Sequence, residues 1–268
     1  MTYFGFLLLF LVIPILFFLA ITLFDNKKNK PTFGFQNGRV VWIAIGIHIL
    51  LAVIYTTPWD NYLVATGVWY YNPALVTGIV FGYVPIEEYT FFILETILTG
   101  LWWWFLARRL SAPSKEFKQN KVPVYVSTCI LVSLWVIFTF ILFSSNSPLT
   151  YLSITLFWAL PAILPQLLYG ADILWHHRKL VVLGVLVPGV YLSLTDIVAL
   201  TDTTWSIAKD QTTDILFFGI LPLEEVVFFL ITNILIIFGM TLLLANESPY
   251  RLQKMKQSIN KWRHSWKR

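Results

Sequence analysis

Long apolar stretches constrain this chain more than any other feature of its sequence. Seven stretches of about 20 residues contain few charges, and 18 or more such residues are enough for a helix to cross a bilayer. The predicted spans cover residues 3–24, 40–57, 85–106, 122–143, 151–170, 179–200 and 217–245. We therefore expect an all-α membrane protein with seven transmembrane helices.

The composition supports this expectation and argues against other classes. Hydrophobic residues make up 57% of the chain and charged residues 12%, whereas a soluble domain carries about 25% charged residues. The net charge of +5 does not indicate nucleic acid binding, because the positive residues lie in short loops and a tail. One cysteine, Cys129, permits neither an intrachain disulfide nor a cysteine-cluster metal site. Dinucleotide and Walker-type motifs are absent from the sequence, so we predict no cofactor and no metal.

Loop charges set the predicted orientation. All of the 19 lysines and arginines except Lys209 fall in the loops after helices 1, 3 and 5 or in the tail. Basic loops face the cytoplasm, which predicts a multi-pass cell-membrane protein with its N-terminus outside and its C-terminus cytoplasmic. The basic tail at 247–268, which includes Trp262 and Trp266, is expected to anchor on anionic lipid, and partner binding is the less favoured alternative.

An internal repeat with an offset of about 137 residues divides the chain. The pattern is Y-x4-D-x8-W followed by P-[IL]-E-E-x2-F-F. It places Tyr55, Asp60, Trp69, Pro85, Glu87, Glu88, Phe91 and Phe92 opposite Tyr191, Asp196, Trp205, Pro222, Glu224, Glu225, Phe228 and Phe229. We predict one three-helix unit at 1–107, a linker with helix 4 at 108–148 and a second unit at 149–246. A single linking helix keeps both units in the same orientation, so the repeats are predicted to be parallel.

The repeated glutamates are the candidate catalytic groups. The preceding prolines suit the first turn of a helix, so Glu87, Glu88, Glu224 and Glu225 could simply favour the positive end of the helix dipole. Phenylalanines follow at once, however, and Glu95 lies two turns deeper, which favours a functional site inside the apolar zone. Burial and neighbouring like charge would keep at least one proton on such a set at neutral pH, giving both an acid and a base.

Aromatic residues accompany these carboxylates. Tyr55, Tyr191, Trp69 and Trp205 could form the usual interfacial belt or stabilise a cation beside the site, and both interpretations stay open. The cytoplasmic-end tryptophans at 102–104 are predicted to belong to the belt. Asp60 and Asp196 are expected to add acceptors on the outer side. An apolar bundle with carboxylic acids and an aromatic lining indicates protonation of a lipid alkene, stabilisation of the carbocation and removal of a proton elsewhere.

The segments PIEEYTFF at 85–92 and PLEEVVFFLITN at 222–233, with PWD at 58–60 upstream, resemble the motifs of the lycopene cyclase domain family. The chain is similar to the fused form of archaea and some bacteria. The resemblance implies a non-redox isomerisation in which a linear end of lycopene is protonated, closes to a six-membered ring and loses a proton to give a β-ionone ring. It also implies a carotenoid substrate and contact with membrane lipids, and it leaves a homo-oligomer open.

Carried onto this sequence, the resemblance makes the four motif glutamates the acid/base candidates, supported by the motif phenylalanines Phe91, Phe92, Phe228 and Phe229. Glu95 and Asn233 extend the same helix faces. Glu95 aligns with Thr232 rather than with a second carboxylate, so the two halves are predicted to be unequal. One half could act while the other shapes the substrate tunnel.

Three other interpretations compete with this one. A small-solute transporter also has a 3+1+3 arrangement of parallel repeats, but a sugar needs more polar groups than these spans offer. A diphosphate enzyme could use Asp210 and Asp214 with magnesium, but no basic cluster lies beside them. A retinal-binding protein needs a lysine within a span, and helix 7 contains none.

Overall fold

Seven long helices dominate the structure, a computed structural model that describes residues 1–28, 38–111, 113, 116–144 and 147–265. Within these residues, seven helices are long and apolar enough to cross a membrane. They are α1 (Tyr3–Lys27), α2 (Gly38–Ala65), α3 (Ile86–Ala107), α4 (Lys121–Phe143), α5 (Thr150–His176), α6 (Arg178–Thr201) and α7 (Leu223–Leu244). A polar helix, α8 (Glu247–Ser265), follows. The seven-helix membrane fold is confirmed, while the parallel-repeat symmetry and the unit boundaries stay predictions.

Some predicted residues fall outside this description, and some boundaries differ from those expected. Lys30, Lys115, Trp266 and the side chain of Trp262 lie outside the described residues. Helix α2 was expected to end at 57 but continues through Pro58 to residue 65. Proline normally interrupts a helix. Here buried side chains follow the proline within α2, and their packing stabilises the continued helix.

Local backbone features set two more boundaries. The predicted end of helix α5 at 170 coincides with a kink, because Gly170 (φ −161°, ψ 37°) has non-helical backbone angles, and a short helical segment continues beyond it to His176. Only His177 separates it from α6, so Arg178 begins a helix instead of lying in a loop. Helix α7 starts at Leu223 and not at 217, since the preceding residues form a hairpin.

Short antiparallel strands cover one end of the bundle. Strands β2 (Val80–Phe81) and β3 (Val84–Pro85) form one hairpin, and β5 (Leu216–Phe217) and β6 (Leu221–Pro222) form another. Gly82 and Gly219 turn these hairpins at φ +68° and +70°, a conformation that glycine adopts without strain. The repeated prolines therefore end strands and stand just before α3 and α7, instead of occupying their first turns. Strands β1 (Trp69–Tyr71) and β4 (Trp205–Ile207) pair across the two halves.

Helices α3 and α7 form the centre of the bundle and hold the candidate residues. Thr99 Oγ1 donates to Asn233 Oδ1 across 2.8 Å, and Trp103 Nε1 donates to Thr241 Oγ1 across 2.9 Å. Trp103 and Trp104 are buried inside the protein, so the prediction that they face the membrane interface was wrong. Helix α4 lies at the periphery, with most of its surface exposed.

Buried ion pairs fasten the opposite end. Asp25 near the end of α1 pairs with Arg108 (3.2 Å) and Arg109 (2.9 Å) after α3. Asp172 near the end of α5 pairs with Arg251 of α8 (2.7 Å). Arg251 is almost fully buried, so it neutralises a carboxylate of the bundle and does not anchor on lipid as predicted for the tail.

Candidate active site

Glu88 and Glu225 meet at a small cavity between the two halves of the chain. They lie in the first turns of α3 and α7, and together with Asp196 they line a cavity of about 30 Å³, roughly the volume of one water molecule. Aromatic side chains complete the lining: Tyr3, Trp69, Tyr71, Phe91, Trp205, Phe228 and Phe229. The sequence motif therefore places two carboxyl groups from distant segments in one aromatic chamber, hereafter the carboxylate chamber.

A tyrosine donates a hydrogen bond to each of these two glutamates. Tyr3 Oη donates to Glu88 Oε2 in a short bond, and Tyr151 Oη donates to Glu225 Oε1 across 2.7 Å. Both tyrosines lie at the start of a helix, α1 or α5. These tyrosines were not predicted from the sequence, because their separation of 148 residues differs from the offset of the main repeat. A tyrosine at the start of each unit's first helix was the available signal.

The neighbouring glutamates face a different environment. The backbone N–H of Thr77 donates to Glu87 Oε1 across 2.6 Å, and that of Thr213 donates to Glu224 Oε1 across 2.7 Å. Both side chains are fully buried, and the second oxygen of each has no hydrogen-bond partner within the described part of the chain. Consecutive residues on a helix point about 100° apart. Consequently Glu87 and Glu224 bind the backbone of the preceding loop, while Glu88 and Glu225 line the chamber.

The two repeated aspartates are buried and differ in their partners. Asp196 Oδ1 accepts a hydrogen bond from Trp205 Nε1 across 2.8 Å. Asp60 is fully buried within α2 instead of lying in a loop, and neither of its oxygens has a hydrogen-bond partner among the described residues. The buried hydroxyl of Tyr71 lies near these groups. Burial raises the pKa of Tyr71 well above 10.0, and the carboxylates of Asp60 and Glu88 raise it further, so its phenol stays protonated at neutral pH.

The repeated aromatic residues divide into two groups. Trp69 and Trp205 line the chamber, where Trp69 stands edge-on to Tyr151 at 5.6 Å between ring centroids. Tyr55 and Tyr191 do not reach it. Their hydroxyls donate to backbone carbonyls, those of Trp158 (2.8 Å) and Phe10 (2.9 Å) respectively. These two bonds fasten α2 to α5 and α6 to α1.

Glu95, Asn233 and Phe92 lie outside the chamber. Glu95 Oε1 accepts a hydrogen bond from Thr232 Oγ1 across 2.8 Å, which joins the two positions that align in the repeat. Together with Phe92 it lines a separate, larger groove. Asn233 is buried, and its amide donates to the carbonyl of Phe229 across 2.7 Å. The predicted support residues are therefore divided: Glu95 and Phe92 line the groove, whereas Asn233 lines neither cavity.

The chamber combines acidic groups with aromatic faces. None of the residues that line it is positively charged, and a buried carboxylate without a cationic partner is costly. A shared proton reduces that cost, which makes the set able both to donate and to accept a proton. The surrounding rings present faces that attract a cation by about 0.5–2 kcal/mol each. This arrangement suits a reaction that begins and ends with proton transfer and passes through a carbocation.

A second cluster of titratable groups lies at the other end of the bundle. His176, His177 and Glu247 place potential metal-ligand atoms within 4.8 Å of one another. Burial opposes ionisation of Glu247, but the hydrogen bond with His177 and the charge of the histidines outweigh it, so the pKa of Glu247 falls below 4.5. These residues share no lining with the carboxylate chamber, and they take no part in the chemistry described above.

Comparisons with known proteins cover most of the chain. No protein-family model matches it, and no solved structure matches it. A lycopene beta-cyclase of Halobacterium salinarum is 39% identical over 204 residues, which cover 74% of this chain and 81% of the relative. Bifunctional lycopene cyclase/phytoene synthases of Podospora anserina and Blakeslea trispora are 34% and 31% identical. These matches cover 75% and 81% of this chain but only 35% and 37% of the fungal proteins.

The archaeal match extends over most of both chains. Together with the paired glutamate motif and the seven apolar helices, this identity establishes the relationship. The chain belongs to the lycopene cyclase family.

Proposed function

We propose that this membrane protein cyclises the linear ends of lycopene without net oxidation or reduction. The observation that carries the proposal is the carboxylate chamber, where Glu88 and Glu225 from different halves face one aromatic cavity. The Halobacterium relative, named for the same reaction, supports the choice of substrate. The apolar helices supply the membrane environment in which a carotenoid dissolves.

The proposed reaction begins with proton transfer from a chamber carboxylic acid to the terminal double bond of the substrate. The resulting carbocation is attacked by the next suitably placed double bond, which closes a six-membered ring and moves the positive charge into it. A carboxylate then removes a proton from the ring to form the β-ionone double bond. One proton is added and one is lost, so the product is an isomer and no electron acceptor is needed.

We assign the proton transfers to Glu88 and Glu225, because both line the chamber and each accepts a hydrogen bond from a tyrosine. Glu87 and Glu224 are assigned to holding the loops at the entrance of α3 and α7, because they accept bonds from backbone N–H groups. Asp196 shares the chamber, and its charge adds to the need for a shared proton.

The aromatic rings have a separate proposed role. Phe228, Phe229 and Phe91 lie around the carboxyl groups, and Trp69 and Trp205 close the chamber towards β1 and β4. Ring faces stabilise a positive charge without providing a nucleophile that could capture it. They also exclude water, which would otherwise quench the cation to an alcohol.

We also propose the membrane orientation that the loop charges indicate, with the N-terminus outside and the C-terminus in the cytoplasm of the cell membrane. In this orientation the chamber lies in the outer half of the bilayer, because the first turns of α3 and α7 follow the outer hairpins. Lycopene reaches it from within the membrane, since the substrate is insoluble in water.

Expression in lycopene-accumulating bacteria tests the proposed function. Chromatography of the extracted pigments is expected to show carotenoids with β-rings in place of lycopene. Unchanged lycopene in cells whose membranes contain the folded protein would reject the proposal. A chain with both Glu88→Gln and Glu225→Gln provides the matched inactive control.

A further inference from the structure

A long apolar groove runs beside the carboxylate chamber. It lies between α2, α5 and α7, and its volume is about 630 Å³, within the range of small-molecule sites. Its lining along α7 extends from Phe228 to Leu243, which corresponds to about 22 Å at 1.5 Å per residue. Glu95 is the one carboxylate among its lining residues. The groove is therefore shaped for a long, apolar ligand.

The groove opens towards the lipid side of the bundle. Leu51 and Leu243 line it and are 57% and 51% exposed. Because these residues belong to membrane-spanning helices, a ligand can enter sideways from the bilayer without crossing water. An acyl chain of a bilayer lipid could enter the groove by the same route. Other features of the groove must therefore distinguish a lipid from a substrate.

The groove also adjoins the chamber. Phe228 lines both cavities and so forms part of the wall between them. It belongs to a column of stacked rings, in which Trp59 lies 5.6 Å from Phe228 and 4.6 Å from Trp158, which lines the groove. The chamber itself has room for about one water molecule. An end group that enters from the groove therefore passes beside Phe228 on its way to Glu88 and Glu225.

The internal repeat provides an independent comparison, because α3 and α7 align with an offset of 137. Gly239 in the groove aligns with Trp102 of α3. A side chain at Gly239 would collide with the imidazole of His48, because the Nε2 atom of that ring overlaps the position that a Cβ would occupy. The second repeat thus has no side chain at this position, which the His48 ring covers, whereas the first repeat has a tryptophan.

Aromatic residues fill the equivalent place in the first repeat. Trp102, Phe18 and Phe105 pack on one another with centroid distances of 5.3, 5.5 and 5.6 Å. Trp102 Nε1 donates to the backbone carbonyl of Leu183 across 3.0 Å, which fixes the ring against α6. Position 105 aligns with Leu242. Duplication has therefore left a packed aromatic cluster on one side and an open groove on the other.

We propose that this groove binds the polyene arm of the carotenoid, the part not being cyclised. We also propose that the glycine at 239, where the other repeat has Trp102, leaves the groove unfilled beside the His48 ring. The inference rests on the proposed function, which supplies the identity of the substrate. The continuity through Phe228 favours a substrate over a bilayer lipid, since a lipid site would have no reason to adjoin the carboxylates. The sequence difference at 102 and 239 makes the two halves unequal, with one arm-binding groove where α2 of the first half meets α5 and α7 of the second.

Filling the groove tests the proposal. Ala162 lines it, and Ala162→Phe adds a ring inside the groove, whereas Ala20→Phe adds the same ring on the exposed surface of α1 as a control. A second variant combines His48→Gly with Gly239→Trp. Positions 48 and 239 then carry the same residues as the aligned positions of the other repeat, Gly184 and Trp102. Purified proteins in phosphatidylcholine vesicles are supplied with lycopene or with a half-length acyclic polyene that carries the same end group.

We expect both groove variants to lower kcat/KM for lycopene at least about tenfold, mainly through a higher KM, because an overfilled apolar site excludes the arm. Activity on the half-length substrate should stay within about twofold of wild type. The contacts that these variants remove are made by the distal arm, which this substrate lacks. Ala20→Phe should behave as wild type. An unchanged KM for lycopene, or equal losses with both substrates, would overturn the inference.

Binding distinguishes this inference from the proposed function. Quenching of tryptophan fluorescence by lycopene is expected in the wild-type protein and should weaken in Ala162→Phe. Wild-type binding that Ala162→Phe abolishes, without any cyclised product, would reject the function but support the groove. Equal binding by both proteins would show that the groove holds bilayer lipid and not the substrate arm.

Discussion

The adjacent glutamates of each motif provide a demanding test, because they are chemically identical neighbours with different contacts. Glu88 lines the chamber and Glu87 accepts a bond from the loop, and the second half repeats this division with Glu225 and Glu224. Replacing each glutamate by glutamine exchanges the carboxyl group for an amide and keeps the size of the side chain. The four single variants therefore separate proton transfer from loop anchoring.

The contacts give the expected magnitudes. The amide introduced by Glu87→Gln keeps a carbonyl oxygen that accepts the hydrogen bond from the N–H of Thr77, so we expect this variant to lose only about 1 kcal/mol of stability. Its kcat should stay within about threefold of wild type, since no proton transfer is lost. Glu88→Gln removes an acid or base, which usually contributes 10²- to 10⁴-fold, so we expect kcat to fall at least about 100-fold.

The assay is the initial rate of β-ring formation by purified protein in vesicles, with thermal unfolding measured on the same samples. Glu225→Gln should resemble Glu88→Gln, and Glu224→Gln should resemble Glu87→Gln. A large loss at only one of the two chamber positions would identify the half that acts. Full activity in both chamber variants, or equal losses at neighbouring positions, would refute the division of roles.

Three further outcomes follow from the structure. Arg251→Ala leaves Asp172 buried without its cation and should lower the free energy of unfolding by about 3 kcal/mol, measured by thermal unfolding. The control Lys256→Ala, on the exposed face of α8, should change it little. Equal losses in the two variants would contradict the buried pair. Because the pKa of Glu247 is lowered, its contribution is present above pH 4.5 and lost as pH falls below it. The protection of α8 amides from hydrogen exchange, relative to the unstructured chain at the same pH, should therefore fall in acid for the wild type but not for Glu247→Gln. A reporter fused to the C-terminus should be active in the cytoplasm, and an external signal would reverse the proposed orientation.

Sequence patterns predicted the helices well because membrane insertion depends on the local length of an apolar stretch. They were less reliable at the ends. The predicted α2 ends at 57, directly before Pro58, yet the helix continues to Ala65, because buried residues beyond the proline pack against other helices. The hairpins before α3 and α7 consist of strands only two residues long, too short to leave a periodic signal.

The candidate site shows the same limit. The motif identified four glutamates, but a helix places neighbours about 100° apart, and the sequence could not show which of each pair faces inward. Tyr3 and Tyr151 approach Glu88 and Glu225 from residues 85 and 74 positions away, a contact that depends on packing between helices. Trp102 resembled an interfacial residue, and only its contacts with Phe18 and Phe105 reveal its role in packing the first repeat.

In the proposed reaction, this chain closes rings by adding one proton and removing another. Purified protein in vesicles prepared in D2O, supplied with lycopene and no electron acceptor, tests it by mass spectrometry of the products. We expect cyclised carotenoids that are isomers of lycopene and gain about one mass unit for each ring formed, because the chamber acid exchanges with solvent between turnovers. Rings formed without deuterium, products with a different number of hydrogens, or unreacted lycopene would contradict it.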